Sequence, residues 1–397
     1  ELGRPAGAAG APVCPGCQRP LEPAQEEGWY LQLEAYRPWL KGFAAAHRQF
    51  VRPESRYNEL MGLLEQPLPE YLCITRPKSR VSWGIEVPFS PDHVVYVWID
   101  ALFNYITVPG YHDDQARFQT LWPADIHFIG KDILRHHALY WPIMLHALGL
   151  PDEQMPQMVF AHGWWKIGEQ KMSKSLGNIV DPTVVVTKLL AGQPYAADVY
   201  RYFLLREVPF GQDGSFSEDA IFIRLNADLA NDLGNLVNRT CSMIERYCGG
   251  RIPSPGPGSG APQAGPEAAL WQEVAGLHGV LERTVPALEF SAALEAIMAA
   301  VAHANQYIEA VAPWKLAKDP GAKPRLDLAL YLLASVVAAI SAALAPFMPS
   351  VAPAIWTQLG CAKAPAVGAV WGALPQGQAL GPHPVLFPRI DAAKAGA

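Results

Sequence analysis

The chain has 397 residues, half of them hydrophobic and 17% charged. That composition excludes a disordered protein and leaves enough material for two or three domains with buried cores. Its 31 basic and 37 acidic residues give a net charge of −6, which excludes bulk polycationic attraction to nucleic acid; any such contact must come from a local patch.

The six cysteines are scattered except for the pair Cys14 and Cys17, which suits a reducing, cytoplasmic compartment better than a disulfide scaffold. The chain begins at Glu1 without a secretory pattern, and is expected to be a processed product or part of a longer chain. Val94–Ile99 is β-branched and aromatic without polar alternation, which predicts a buried strand. Asp125–Ile129 and Met158–Phe160 read as further strands, and Asp132–Leu148 between them has helical spacing. Strands alternating with helices predict a parallel α/β sheet.

The character changes after about Ser217. Leu225, Leu229, Leu233, Leu236, Val237 and Ile244 recur at helical spacing, as do Leu294, Ile297, Met298, Val301 and Ile308. Leu326–Ala345 predicts a further helix, and the Pro/Gly/Ser stretch Gly249–Pro266 predicts a loop. The expected fold is therefore α/β followed by all-α. Leu328–Ala362 contains no charged residue, which raises a membrane span. Its alanines, Ser335, Ser341 and three prolines favour a buried bundle helix instead, so no membrane is expected.

The strongest local signal is Lys171-Met172-Ser173-Lys174-Ser175. Two ammonium groups three residues apart, with hydroxyls between them, suit a loop that wraps a polyphosphate. The string matches the signature loop of class I aminoacyl-tRNA synthetases. Val97-Trp98-Ile99-Asp100-Ala101-Leu102-Phe103-Asn104-Tyr105, Gly130-Lys131-Asp132, His136-His137 and Tyr140-Trp141-Pro142 are similar to methionyl-tRNA synthetases, as are Asn231–Arg239 and Ala312-Pro313-Trp314. The resemblance covers about Val13 to Ile390, and the chain is identified as a member of that family, of the type with a short zinc-bearing connective domain.

The resemblance implies the second half of a Rossmann-like catalytic domain, then an anticodon-binding bundle. The expected segments are 1–88 (connective remnant), 89–165 (half of the catalytic domain), 166–221 (stem-contact region) and 222–397 (anticodon bundle). It implies methionine contacts from Trp98, Ala101, Tyr105, Ile133, His137 and Trp141. ATP, with Mg2+, would meet Gly130, Asp132, His162, Gly163, Lys171, Ser173 and Lys174, with Lys171 and Lys174 acting on the pyrophosphate. Asn235, Arg239 and Trp314 would meet the anticodon of methionine tRNA. Bottom-up, aromatic faces suit a long apolar side chain with a polarizable sulfur.

Cys14 and Cys17 have zinc-knuckle spacing, but four ligands are needed; the resemblance implies a second pair upstream, so this is half a site. The His-x-Gly-His string of class I enzymes occurs nowhere in the 397 residues. The expectation is a C-terminal two-thirds of a methionine–tRNA ligase, monomeric and inactive alone. The alternative is a silent tRNA-binding module or half of a split enzyme. Related leucine, valine and isoleucine enzymes are disfavoured, because Trp98–Lys171 has no room for a large editing insertion.

Overall fold

A computed structural model describes residues 27–168, 170–172, 177–256, 260–365 and 371–390. Their packing divides into two units between Ala161 and His162.

In the first unit, Val51–Arg52, His127–Gly130 and the strand Val159–His162, whose last residue opens the second unit, form one three-stranded sheet with Val159–His162 in the centre. Val51 and Arg52 pair in parallel with Val159 and Phe160. The helix Glu54–Glu65 follows and buries Tyr57, Leu60 and Leu64. These side chains share one core with Leu33, Leu40, Leu102, Ile106, Leu134 and Trp141. The boundary expected at residue 88 therefore falls inside a continuous core, because a two-residue strand near position 51 completes the sheet.

A second correction concerns Val94–Ile99. The strand is Ser90–Val95, the central strand of a three-stranded antiparallel sheet between Thr75–Pro77 and Glu86–Val87. Tyr96 is extended, and a helix begins at Val97 and runs to Thr107. Asp100 in its first turn complements the helix dipole. Trp98, Ala101 and Tyr105 are three and four residues apart, so the helix places them on one face, where a strand would have split them.

The expected helix Asp132–Leu148 is composite. A 3-10 turn at Lys131–Ile133 is followed by a wide π turn at His136–Tyr140, then the α-helix Trp141–Ala147. Such wide turns re-aim side chains and recur at functional sites.

The second unit starts with a small sheet of Trp165–Ile167, Gln170–Lys171 and Gly214–Ser215. Its main body is helical: Ala196–Arg206, Glu218–Arg224, a wide-turn stretch Leu225–Gly234, Asn235–Cys248, Gly265–Thr284, Phe290–Val311 and Lys323–Leu344. Gly249 ends one helix in the left-handed region at φ 59°. One core runs from Val185 and Tyr202 through Phe222 to the bundle, so the boundary expected at 221 also lies within a continuous core.

The helix Lys323–Leu344 is long and apolar enough to cross a membrane, yet 83% of its most apolar window is buried among the other helices. Burial by protein on all sides accounts for the lack of charge. Far along the chain, the Asn226 amide donates to the Ile390 carbonyl and its carbonyl oxygen accepts the Ile390 N–H.

Candidate functional site

Tyr105 and His137 form the centre of an aromatic cage in the first unit. The Ile133 carbonyl lies 3.1 Å from His137 Nδ1 and can only accept, so Nδ1 carries the proton. His137 Nε2 then accepts the Tyr105 hydroxyl proton at 3.0 Å. Burial lowers the His137 pKa, which keeps the ring neutral and this bond in place. Trp98 stacks on His136 at 3.8 Å and meets His137 edge-on at 6.3 Å. Trp141 is fully buried, with Tyr105 at 6.0 Å.

The structure thus brings together Trp98, Tyr105, His137 and Trp141, with Ile133 joined through its carbonyl. Ala101 shares their helix face and is exposed. A cavity of about 220 Å³ lies against Trp98 and His136, lined also by Leu72, Arg76, Tyr96 and Tyr140.

His127 belongs to this cage and was missed from sequence. Its ring is 4.2 Å from Tyr105 and it is 6% exposed. Burial, aided by the nearby His137, pushes its pKa down to about 4. The only sequence signal is a histidine inside an apolar strand, which is more often a satisfied core residue. Here it is not satisfied: His127 Nε2, His136 Nδ1 and Trp141 Nε1 are all buried without a hydrogen-bond partner. An ordinary core pairs such atoms, and three of the seven found among the described residues lie around this one cage.

Gly130 and Asp132 lie beside this cage in sequence. A Cβ at Gly130 would stand 2.6 Å from Asp132 Oδ1, so the carboxylate's position requires glycine. In the second unit, His162 Nδ1 is 2.8 Å from the Gly163 carbonyl and its ring stacks on Phe210. A side chain at Gly163 would run into the Gln212 backbone. The Lys171 ammonium lies 3.9 Å from the Trp164 ring centroid. Ser173 and Lys174 lie outside the described residues, as do Cys14 and Cys17. Among the described residues no three His, Cys, Asp or Glu side chains gather as a metal site.

Of the three expected anticodon residues, Arg239 and Trp314 meet directly, and Asn235 lies one turn before Arg239 on the helix Asn235–Cys248. The Arg239 guanidinium lies 5.7 Å from the Trp314 ring centroid and pairs with Glu309 at 2.7 Å. The Asn235 amide donates to Asn305 Oδ1 at 3.4 Å, and Asn305 donates to the Asp232 carbonyl. Ala312, just before Pro313-Trp314, sits in the left-handed region at φ 49°. That strain is unusual outside glycine and sets the angle at which Trp314 leaves the helix. Glu309 and Asn305, on the facing helix Phe290–Val311, were not legible in the sequence.

A family model for class I tRNA synthetases (M) matches residues 8–241, and one for the anticodon binding domain of methionyl tRNA ligase matches residues 257–396. The chain belongs to the methionyl-tRNA synthetase family. The methionine–tRNA ligase of Caldanaerobacter subterraneus subsp. tengcongensis is 44% identical over 384 residues, covering 96% of this chain and 58% of the relative. That of Bacillus subtilis is 41% identical over 354 residues, covering 87% of this chain and 50% of the relative. The chain thus spans little more than half the length of these methionyl-tRNA synthetase relatives. The solved Mycobacterium tuberculosis methionyl-tRNA synthetase bound by methionyl-adenylate superposes with a TM-score of 0.84 at 40% identity, over 96% of this chain and 72% of that one. The family architecture, a Rossmann-like α/β catalytic domain followed by a helical anticodon-binding domain, agrees with the order of fold classes expected from the sequence.

Proposed function

We propose that these residues serve an ATP-dependent methionine–tRNA ligase. The methionine carboxylate attacks the α-phosphorus of ATP, the bond to the leaving pyrophosphate breaks, and a tRNA 3′-terminal hydroxyl then displaces AMP. The observation that carries this is the cage of Trp98, Tyr105, His137 and Trp141 with its unpartnered polar atoms. Its aromatic faces fit a flexible thioether. The methionyl-adenylate held by the tuberculosis relative supports it. Lys171 and Lys174 would offset charge developing on the pyrophosphate, and Gly130, Asp132, His162, Gly163 and Ser173 would contact ATP, which enters with Mg2+. Zinc at Cys14 and Cys17 needs two further ligands, and no chemical step here uses it.

Tyr105→Phe tests the cage. It leaves His137 Nε2 buried without its donor, and is expected to weaken methionine binding by about 1–2 kcal/mol. Titration by tryptophan fluorescence measures this; an unchanged affinity removes the hydroxyl from recognition.

Asn235, Arg239 and Trp314 would meet the unpaired anticodon bases by hydrogen bonding and stacking. Trp314→Ala is expected to weaken methionine tRNA by about 1–3 kcal/mol in filter binding while methionine binding stays intact. Losses in both assays would indicate misfolding instead.

The missing His-x-Gly-His string favours a second reading, in which this chain binds tRNA but activates methionine only when that motif is supplied. Purified alone, it is expected to show methionine-dependent ATP–pyrophosphate exchange no higher than background. Exchange above background would assign the phosphate clamp wholly to residues in this chain.

A further inference from the structure

Lys171 lies directly opposite Lys166 across the antiparallel pairing of Gln170–Lys171 with Trp165–Ile167. Like charges facing each other across a ladder repel. Lys166 is drawn aside by Asp213, 2.8 Å from its ammonium. Lys171 is drawn to the Trp164 indole face at 3.9 Å, where the ring's negative face attracts a cation.

Trp164 is itself anchored. Its N–H donates to Asp213 Oδ1 at 2.9 Å, and its carbonyl accepts the Gly214 N–H at 2.9 Å. Gly214 lies so close to the Trp165 ring that a Cβ there would stand 2.9 Å from it, so the strand carrying this anchor has one way to pack. Asp213 therefore settles both neighbours of Lys171: it removes the competing ammonium and holds the backbone of the indole.

We propose that Trp164 is a positioning residue for Lys171, a platform that holds the ammonium ready for phosphate oxygens. The proposal rests on the reading of Lys171 as a pyrophosphate contact. A free lysine gives up several rotamers when it binds. A lysine resting on an indole has already given up part of that freedom, and the contact fixes where its ammonium stands.

The test has two arms. In the 397-residue chain without ligand, the ε-methylene protons of Lys171, assigned by their loss in Lys171→Met, resonate upfield of the other lysines because of the indole ring current. Trp164→Leu abolishes that shift. In the second arm, calorimetric titration with inorganic pyrophosphate shows about two- to fivefold weaker binding for Trp164→Leu, the equilibrium equivalent of a solvent-accessible cation–π contact. Trp164→Phe recovers most of it, and Trp164→Leu has no further effect in the Lys171→Met background. Absence of the upfield shift overturns the proposal, as does equal pyrophosphate affinity of Trp164→Leu and wild type when Lys171→Met binds more weakly. If Lys171→Met binds pyrophosphate as well as wild type, the reading of the loop itself falls, even where the upfield shift is present.

Discussion

Asp198→Ala is expected to cost the second unit about 3–5 kcal/mol, measured by chemical denaturation. Asp198 is 1% exposed on the helix Ala196–Arg206. One of its carboxylate oxygens accepts the N–H groups of both Ser350 and Val351 at 2.7 Å. These are among the unpaired donors that open the helix Val351–Gln358. Hydrogen bonds to a charged acceptor are each worth about 1.5–3 kcal/mol, and alanine would leave the Val351 N–H buried and unpaired, with the Ser350 N–H partly shielded beside it. Arg201 on the same helix donates to the Phe347 and Pro346 carbonyls, so the loss is concentrated where one helix clasps a turn. Asp198→Asn keeps an acceptor in place and is expected to lose about half as much. Equal losses for the two variants would show that charge, not hydrogen bonding, holds the turn.

The second large effect is a loss of stability in mild acid, set by His127. Its folded pKa of about 4 lies well below the ordinary histidine value of 6.5. Between those values the unfolded chain binds a proton that the folded chain refuses. Stability is therefore complete above about pH 6.5, falls as pH drops toward 4, and levels off below. The full change is about 3 kcal/mol. His136 and His137 are lowered in the same direction, mainly by burial, and add to the slope.

Glu34 is lowered by its hydrogen bonds to Arg37 and the Leu68 N–H, and Glu86 by its bond to Lys78. Their contributions are lost only below the ordinary carboxylate value of 4.5, so the two windows separate. His127→Gln is expected to flatten most of the change between pH 6.5 and 4, read from urea midpoints across that range. An undiminished slope would move the effect to another group.

Family membership was more legible in this sequence than structure. The strings around Trp98, His137 and Asn235 were readable only through their resemblance to the family, since spacing alone fits an ordinary core and a solvated helix face equally well. Val51–Arg52 was not, because two residues carry no periodicity and gain strand character only from pairing with Val159 and Phe160. The run Val94–Ile99 read as one strand because β-branched and aromatic residues serve a strand end and a helix start equally well; the break comes at Tyr96, whose N–H donates to the Ile74 carbonyl before the helix begins. His127 was hidden for a related reason. Its importance comes from Tyr105, far away in sequence, and from an unpaired nitrogen that no pattern of letters reveals.

The apolar helix Lys323–Leu344 has a kinetic consequence. It has no polar face to turn outward, since every residue from Ala329 to Leu344 is buried. Once the second unit opens, that stretch meets water along its whole length, and association with another copy or a chaperone competes with reclosure. The lifetime of the unit then depends on how seldom it opens and how crowded its surroundings are, more than on the free energy of the closed form. Asp198 and Arg201, which hold the turn just beyond this helix, therefore act as latches on a largely one-way door.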